Sequence, residues 1–266
     1  MDFDTIRLRK AGGIAYLTLD RPEVLNVFNA RMRAEISAAL DDIAGDSGCR
    51  CLLIAGAGRG FCAGADLTET GRPGADGDRG AAIARAMENE YHPMIRRLQA
   101  LSIPVVAAVN RPAAGGGMSL ALTADIVIAA RSAYFVQVFG PQLGIVPDLG
   151  SSWLVPHNVG PSRAHGLTFF GDRISAEQAV EWGMIWKCVD DDRLSAEAEA
   201  IAGRLAAGPT AGLSLIKQAL AQSPDNTLDQ QLDLERDFQR KAGRTHDFAE
   251  GVTAFLQKRE ANFKGR

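Results

Sequence analysis

In the first half of the chain, short apolar runs alternate with longer amphipathic segments. Apolar and polar residues alternate over Ile14–Leu19, and buried-type apolar runs follow at Cys51–Ala55 and Pro104–Val109. Strict alternation is typical of a half-buried strand, and a short apolar run bounded by turn residues is typical of a fully buried one. The pattern between these strands predicts helices over about 30–44 and 81–101. The N-terminal part is therefore predicted to be built from repeated strand–helix units.

Asn29 is a predicted cap for the first of these helices, because an asparagine side chain accepts hydrogen bonds from free N–H groups of the first turn. Further strands are predicted at Ile126–Ala129 and Tyr134–Val136, and a short helix is predicted after Gly115–Gly117. Alternating strands and helices imply stacked α/β layers. Gly71–Gly80 is polar and glycine-rich, which predicts a loop.

After Ser151 the strand signals largely stop, apart from Lys187–Val189, and helical spacing dominates. The last 70 or so residues have the pattern of three or four helices. We therefore predict an α/β core over residues 1–200 and a helical region over 201–266. Ser175 has the spacing of a helix cap, with a glutamine three residues later.

Composition narrows the function classes without choosing among them. The chain has 266 residues, of which 46% are hydrophobic and 23% charged, and its net charge is −3. This balance is ordinary for a globular protein and gives no indication of nucleic-acid or membrane-surface binding. The first ten residues are charged and lack the apolar run of a signal peptide, and no apolar stretch reaches the length of a membrane span. We expect a cytoplasmic protein without a nucleic-acid or membrane partner.

Cysteines and histidines show no metal-site spacing. The cysteines are Cys49, Cys51, Cys62 and Cys188, and the histidines are His92, His157, His165 and His246. Neither set contains a zinc-type pattern, so we expect free cysteines and no bound metal.

Two glycine-rich loops are the first candidate for chemistry. Residues 58–66 and 110–118 each follow a buried strand and contain three glycines. Permissive backbone at the ends of neighbouring strands allows N–H groups to converge on one anionic oxygen. The alternative is that they are simply two tight turns packed against each other.

The order of motifs resembles the enoyl-CoA hydratase/isomerase (crotonase) family. The resemblance covers nearly the whole chain, and each motif alone is weak, whereas their ordered set is specific. The matching segments are Asp20–Asn26, Gly60–Asp66, Pro112–Gly117, Ala124–Ala129, Gly171–Ala179 and Glu250–Arg259.

This resemblance implies a fold, a substrate and an assembly. The fold would be the crotonase (ClpP-like) spiral of ββα units with a C-terminal helical trimerisation region, giving a homotrimer or a dimer of trimers. The substrate would be an acyl-coenzyme A thioester, with no separate cofactor. The backbone N–H groups of Ala65 and Gly116 would form the oxyanion hole. The coenzyme A-binding positions implied are Val24, Leu25, Arg59, Ala63, Asp66 and Leu67, and a solvated loop charge is the alternative for Arg59.

The resemblance also shows what is missing. Hydratases of the family use two glutamates, and the corresponding positions here hold Ser119 and Phe139, with one extra residue before Gly144. Holding and deprotonating a water requires a basic group, which neither side chain provides. Two further departures are Arg111 and Ser151, each in place of a common glycine.

Asp148 is the candidate that compensates for the absent glutamates. It lies in the apolar turn Gly144–Gly150, where desolvation would raise the pKa of its carboxyl toward the range of a general base. The alternative is a helix-capping aspartate. Dienoyl-CoA isomerases and ring-epoxide phenylacetyl-CoA isomerases of the family resemble this chain in carrying Asp at this point.

The sequence hypothesis is an enoyl-CoA double-bond or ring-epoxide isomerase in which Asp148 shuttles the proton and the backbone holds the enolate. An enoyl-CoA hydratase of fatty-acid or aromatic degradation is the first alternative, and a non-catalytic subunit that binds CoA thioesters is the second. A role for Glu88, Glu90, Tyr91 or His92 in the acyl pocket also stays open, against a solvated helix face.

Overall fold

Residues 2–70 and 77–266 are described by a computed structural model. The greater part of the loop predicted over Gly71–Gly80 lies outside them. The strands within the described residues are β1 (Ile6–Ala11), β2 (Ile14–Leu19), β3 (Cys51–Gly56), β4 (Val105–Val109), β5 (Ala113–Ala114), β6 (Ile126–Ala130), β7 (Tyr134–Val136), β8 (Ile174–Ser175) and β9 (Lys187–Val189).

Helices cover these strands and make up the C-terminal part. They are α1 (Ala30–Ala44), α2 (Leu67–Thr70), α3 (Arg79–Ala86), α4 (His92–Ala100), α5 (Gly116–Leu122), α6 (Ser151–Val159), α7 (Pro161–Phe170), α8 (Ala176–Glu181), α9 (Leu194–Ala207), α10 (Thr210–Gln222), α11 (Leu228–Ala242) and α12 (His246–Gln257). Two π-helical segments, Met87–Tyr91 and Phe139–Leu143, interrupt the regular pattern.

The main sheet has the strand order β1-β2-β3-β4-β6-β9. β1 and β2 are antiparallel, and every later neighbour is parallel. All five residues of β4 are buried, as expected for a central parallel strand covered on both faces. A smaller sheet, β5-β7-β8, stands beside it. The predicted stacked α/β layers are therefore present, and the strands β1, β5 and β8 are present in addition to those that the sequence pattern predicted.

Local signals set the helix boundaries. The Asn29 side chain accepts a hydrogen bond from the Met32 N–H at 2.8 Å, which confirms the predicted cap of α1. The helix predicted over 81–101 is present as α3, a π-helical segment and α4 in succession. The Ser175 hydroxyl accepts from the Gln178 N–H at 3.1 Å, as its spacing predicted.

The C-terminal part consists of the four helices α9 to α12, in agreement with the helical pattern. α9 packs against β3 and β4 through the small buried residues Ala198, Ala202 and Ala206, which allow close approach. Residue 200 lies within α9, and the division at 200/201 stays a prediction. Among the described residues, no helix combines the length and apolarity needed to cross a bilayer.

Candidate active site

The first glycine loop is held by a buried asparagine. The Asn26 side chain donates to the carbonyl oxygens of Ala57 and Gly60, at 2.9 Å each, and accepts from the Arg21 N–H at 2.8 Å. Asn26 is fully buried and has a positive φ of 57°. Its three bonds fix the loop against the segment that precedes α1. In the sequence, Asn26 was predicted only as part of the motif Asp20–Asn26. A polar amide between the apolar residues Leu25 and Val27 was the signal that could have indicated a buried structural role.

Pairing of this loop with Phe28 leaves one N–H group unused. The Phe28 N–H donates to the Gly64 carbonyl at 2.8 Å, and the Asp66 N–H donates to the Phe28 carbonyl at 2.9 Å. The two hydrogen bonds of this parallel bridge use the residues on either side of Ala65 and not Ala65 itself. Within the described residues, the Ala65 N–H donates to no backbone carbonyl. It is therefore available to an oxygen from outside the chain.

The second glycine loop packs backbone to backbone on the first. Cys62 and Ala113 form a parallel bridge, and the Ala114 N–H donates to the Cys62 carbonyl at 3.0 Å. A Cβ placed on Gly64 would lie 3.5 Å from the nitrogen of Gly116, so the two loops approach at van der Waals distance. Gly116 is the first residue of α5, and its N–H has no acceptor within the helix. The structure thus brings together the two predicted oxyanion-hole residues.

Gly116 is lined by apolar side chains. A Cβ at Gly116 would lie 3.6 Å from Phe28 and 3.5 Å from Leu149, both of which are buried. Apolar walls exclude water and so strengthen hydrogen bonds to a developing negative charge. An enolate oxygen held between two N–H donors is the chemistry that this arrangement supports.

Asp148 precedes Leu149 on the loop that reaches this wall. Its carbonyl oxygen accepts hydrogen bonds from the Ser119 hydroxyl at 3.1 Å and from the Ser151 N–H at 2.9 Å. Ser119 lies one turn after Gly116 on α5, and Leu149, the neighbour of Asp148, contacts the Gly116 position. The backbone of the predicted proton shuttle therefore lies beside the start of α5.

One oxygen of the Asp148 carboxyl, Oδ1, is buried and has no hydrogen-bond partner among the described residues. Burial raises the pKa of this carboxyl from 3.8 to about 6, because desolvation disfavours the charged form. Gly150, rather than Asp148, occupies the N-cap of α6, and no side chain caps that helix. The capping alternative for Asp148 is therefore wrong.

The two positions that correspond to hydratase glutamates are occupied by buried side chains without a basic group. The Ser119 hydroxyl lies within hydrogen-bond distance of the Gly115 carbonyl oxygen, at 3.3 Å, and of the Asp148 carbonyl oxygen, at 3.1 Å. Phe139 is 4% exposed and begins the π-helical segment that ends at Leu143. The extra residue before Gly144 is accommodated there, since a π turn holds one residue more than an α turn.

Of the two other departures, Arg111 is exposed and forms an ion pair with Asp191 at 3.6 Å. Ser151 is 1% exposed and accepts a hydrogen bond from the buried Gln137 side chain at 2.6 Å. The first therefore acts at the surface, and the second belongs to the packing beneath the Asp148 loop.

The predicted coenzyme A-binding segments lie side by side. The Ala63 N–H donates to the Leu25 carbonyl at 3.0 Å, which joins the segment around Val24 to the first glycine loop. Val24 is 39% exposed and Leu67 is 55% exposed, so both present apolar surface to solvent. These two side chains offer apolar contact area at the edge of the site.

The two charged residues predicted beside these segments differ in their environments. Arg59 is exposed at the loop tip. Asp66 accepts from the Thr68 N–H and hydroxyl, at 3.1 and 2.6 Å, and lies 3.4 Å from the Arg21 guanidinium. These contacts, the Thr68 hydroxyl first, lower the pKa of the Asp66 carboxyl. Asp66 is thus a charged structural group at the edge of the site.

The π-helical segment Met87–Tyr91 forms a polar cluster with Arg33 of α1. Arg33 is 6% exposed and binds the Glu90 carboxylate at 2.6 Å and the Tyr91 hydroxyl at 3.1 Å. The Tyr91 ring also packs edge-on against Phe28. Glu90 and Tyr91 therefore join α1 to the π-helical segment beside Phe28.

Cys49, Cys51, Cys62 and Cys188 are all free, as expected. No group of three or more potential metal ligands occurs in residues 2–70 and 77–266.

Comparisons with known proteins all point to the same family. The model of the family described as Enoyl-CoA hydratase/isomerase matches residues 9–266. A 1,2-epoxyphenylacetyl-CoA isomerase of Escherichia coli (strain K12) is 52% identical over 259 residues, which is 96% of each chain. A probable enoyl-CoA hydratase of Rhodobacter capsulatus is 42% identical over 266 residues, 100% of each chain. The crystal structure of an enoyl-CoA hydratase from Bacillus anthracis has a TM-score of 0.92 at 29% identity, covering 99% of this chain and 100% of that one.

Proposed function

The chain belongs to the enoyl-CoA hydratase/isomerase (crotonase) family, and we propose that it isomerises an enoyl-CoA or a ring-epoxide acyl-CoA thioester. It has the crotonase fold and is an enzyme of the isomerase/hydratase kind. The observation that supports the finer proposal is the Asp148 carboxyl, which is half-buried and has a pKa raised to about 6, in a loop whose next residue, Leu149, packs against Gly116.

In the proposed reaction, the Asp148 carboxylate removes a proton from a carbon of the acyl chain. The electron pair of that C–H bond moves toward the thioester carbonyl, and the enolate oxygen accepts hydrogen bonds from Ala65 and Gly116. Each N–H donor of this kind stabilises the transition state by about 3 kcal/mol. Asp148 then returns the same proton to a different carbon. No atom is gained or lost.

A pKa near 6 suits this proton transfer. The carboxylate form predominates at neutral pH, and yet its affinity for a proton exceeds that of an ordinary aspartate by about two pKa units. A base poised close to the working pH both accepts and returns a proton efficiently. The absence of any acid at Ser119 and Phe139 favours this one-carboxylate chemistry over hydration, which needs a held water.

Coenzyme A is the proposed handle of the substrate, and no separate cofactor takes part. The joined segments around Leu25 and Ala63 support this, since their exposed apolar side chains flank the oxyanion hole. Arg59, at the exposed loop tip, is proposed to meet a phosphate of coenzyme A. The likeness to a 1,2-epoxyphenylacetyl-CoA isomerase makes the ring epoxide of phenylacetyl-CoA the first substrate to test.

Hydration is the second candidate, because one of the similar proteins is named as a probable enoyl-CoA hydratase at 42% identity. In this chain a hydratase would have to use Asp148 alone. The deciding experiment incubates the enzyme with 2-enoyl, 3-enoyl and ring-epoxide CoA thioesters and follows product mass and spectrum. Isomerisation leaves the mass unchanged and alters the spectrum, whereas hydration adds one water. Binding without turnover of any thioester would favour a non-catalytic subunit.

We also propose a homotrimer, or a dimer of trimers, built through the C-terminal helices. α10 to α12 leave large apolar side chains exposed, including Phe248, Phe255 and Leu256, at 54%, 83% and 74%. Exposed apolar surface of this extent is typical of an interaction site rather than of a free monomer surface.

A further inference from the structure

We propose that Ser119 is a positioning residue whose buried hydroxyl fixes the backbone of Asp148 beside the oxyanion hole. The position that holds a catalytic glutamate in hydratases would then orient Asp148 and would not supply an acid itself. This inference rests on the proposed role of Asp148 as the proton shuttle. It adds a residue to the isomerase site that the family's hydratase machinery does not contain in this form.

The contact joins two separate elements. Ser119 lies on α5 with no exposed surface, and its hydroxyl is 3.1 Å from the Asp148 carbonyl oxygen and 3.3 Å from that of Gly115. A serine hydroxyl has one proton, so it donates to one of these oxygens at a time. The shorter contact, to Asp148, links α5 with the loop 29 residues further along the chain.

The Asp148 loop needs such a link because its backbone is strained. Leu149 has a φ of 51° and Gly150 a φ of 81°. A non-glycine residue in the left-handed region is strained and persists only where the surroundings hold it. Leu149 is held by burial of its side chain against Gly116, and Asp148 by the two donors to its carbonyl oxygen, Ser119 and the Ser151 N–H.

A second brace acts from the opposite side. The Ser151 hydroxyl accepts a hydrogen bond from the Gln137 side chain at 2.6 Å, and both residues are 1% exposed. The start of α6 is thereby tied to the end of β7, and through the Ser151 N–H to Asp148. The backbone of the aspartate is therefore fixed from α5 and from α6.

The side chain of Asp148, in contrast to its backbone, is not held by these hydrogen-bond donors. Its Oδ1 is buried without a partner among the described residues, and the polar groups packed around the loop, Ser119, Ser151 and Gln137, are uncharged. A hydroxyl aimed at the carboxylate would stabilise the charged form and make it a weaker base. Because Ser119 is directed to the carbonyl oxygen instead, it can orient Asp148 without reducing its basicity.

The test compares Ser119→Ala with a matched control on the same helix, Thr123→Val. The Thr123 hydroxyl is also buried, and it donates only along α5, to the Ser119 carbonyl at 2.8 Å. We expect Ser119→Ala to lower kcat about 10- to 100-fold through misplacement of the base, with the affinity for the thioester nearly unchanged. Thr123→Val should keep wild-type turnover, with a similar change in Tm.

The pH profile separates positioning from a merely structural role. When the loop is loosened, water reaches the Asp148 carboxyl, so the acid limb of kcat/KM should move from about 6 toward the ordinary aspartate value. Ser119→Cys, which keeps the size and a weak donor, should restore part of the rate. It also provides the same comparison if the alanine variant does not fold.

Wild-type turnover in Ser119→Ala would overturn the inference, and so would a rate loss with an unmoved acid limb. Asp148→Asn distinguishes these failures from failure of the proposed function. If Asp148→Asn abolishes turnover while Ser119→Ala does not impair it, the isomerase assignment stands and only the role of Ser119 is lost.

Discussion

Gly117 faces the carbonyl oxygen of Cys62 so closely that a Cβ at this position would lie 2.1 Å from it. Real Cβ atoms do not approach backbone oxygen to this distance, so the contact admits glycine alone. The neighbouring residue, Gly116, has ordinary space, with its nearest contact at 3.5 Å from Leu149. The two glycines therefore differ in what they do: Gly117 permits the two loops to pack, and Gly116 supplies an N–H group.

Gly117→Ala should destabilise the protein by about 3 kcal/mol or more, because the added methyl group forces the two backbones apart. Gly116→Ala should change the free energy of unfolding much less. Chemical denaturation of the two variants measures the difference. Equal stability losses would contradict the close packing of the loops.

Asp148→Asn should lower isomerase turnover by about 100- to 10,000-fold and leave thioester binding nearly intact. Asparagine keeps the size of the side chain and cannot accept the proton, so the loss should appear in kcat rather than in affinity. Steady-state kinetics and calorimetry with a matched thioester measure both. Asp192→Asn, at an exposed position, is the control. A near-native rate for Asp148→Asn would refute the proton-shuttle role.

The activity should rise with pH through a midpoint near 6. Only the carboxylate form of Asp148 accepts a proton, and burial raises the pKa of this group from 3.8 to about 6. The pH dependence of kcat/KM reports the free enzyme and is therefore the quantity to measure. A midpoint near 4 would show that the carboxyl is solvated in the working enzyme.

Stability should change with pH in the opposite direction. The unfolded chain releases the Asp148 proton near pH 4, whereas the folded protein retains it until about pH 6. The folded state is therefore favoured below pH 4, and this advantage is lost as pH rises through 6. The loss amounts to at most about 3 kcal/mol. Asparagine does not titrate, so Asp148→Asn should not show this loss of stability. The free energy of unfolding of the variant minus that of wild type should therefore be larger at about pH 7.5 than at about pH 4, as denaturation curves at the two pH values would show.

Phe255→Asp should reduce the oligomer to smaller species. Phe255 is 83% exposed on α12, so the change should cost the folded monomer little, whereas a charge in an apolar contact between subunits would be left unpaired. Light scattering of wild type and variant at micromolar concentration measures the mass. A monomeric wild-type protein would contradict the proposed trimer, and Glu260→Gln, at an exposed position in the C-terminal tail, is a suitable control.

Local patterns were sufficient for most elements of the fold. The buried strands β3 and β4 followed from short apolar runs, and α1 followed from the cap at Asn29, because these signals depend on neighbours in sequence. The strands β1, β5 and β8 and the two π-helical segments were not predicted. β8 depends on a distant partner, β7, and the segment at Phe139 packs beside Gly115.

For the site, the sequence by itself determined which residue types were available. It supplied two glycine loops, one aspartate in an apolar turn, and no acid at Ser119 or Phe139. The resemblance to the family then assigned roles to Ala65, Gly116 and Asp148, since ordered motifs specify positions even where no contact can be derived from spacing.

Only the tertiary structure decided how these groups are held. It showed that the Asp148 side chain caps no helix, and that the Ser119 hydroxyl, rather than merely occupying a vacant glutamate position, reaches the Asp148 carbonyl oxygen. It also showed that, within residues 2–70 and 77–266, the bridge at Phe28 leaves the Ala65 N–H without a backbone acceptor. The bond from Ser119 to Asp148 joins residues that are 29 positions apart in the chain, so it forms only when the chain has folded.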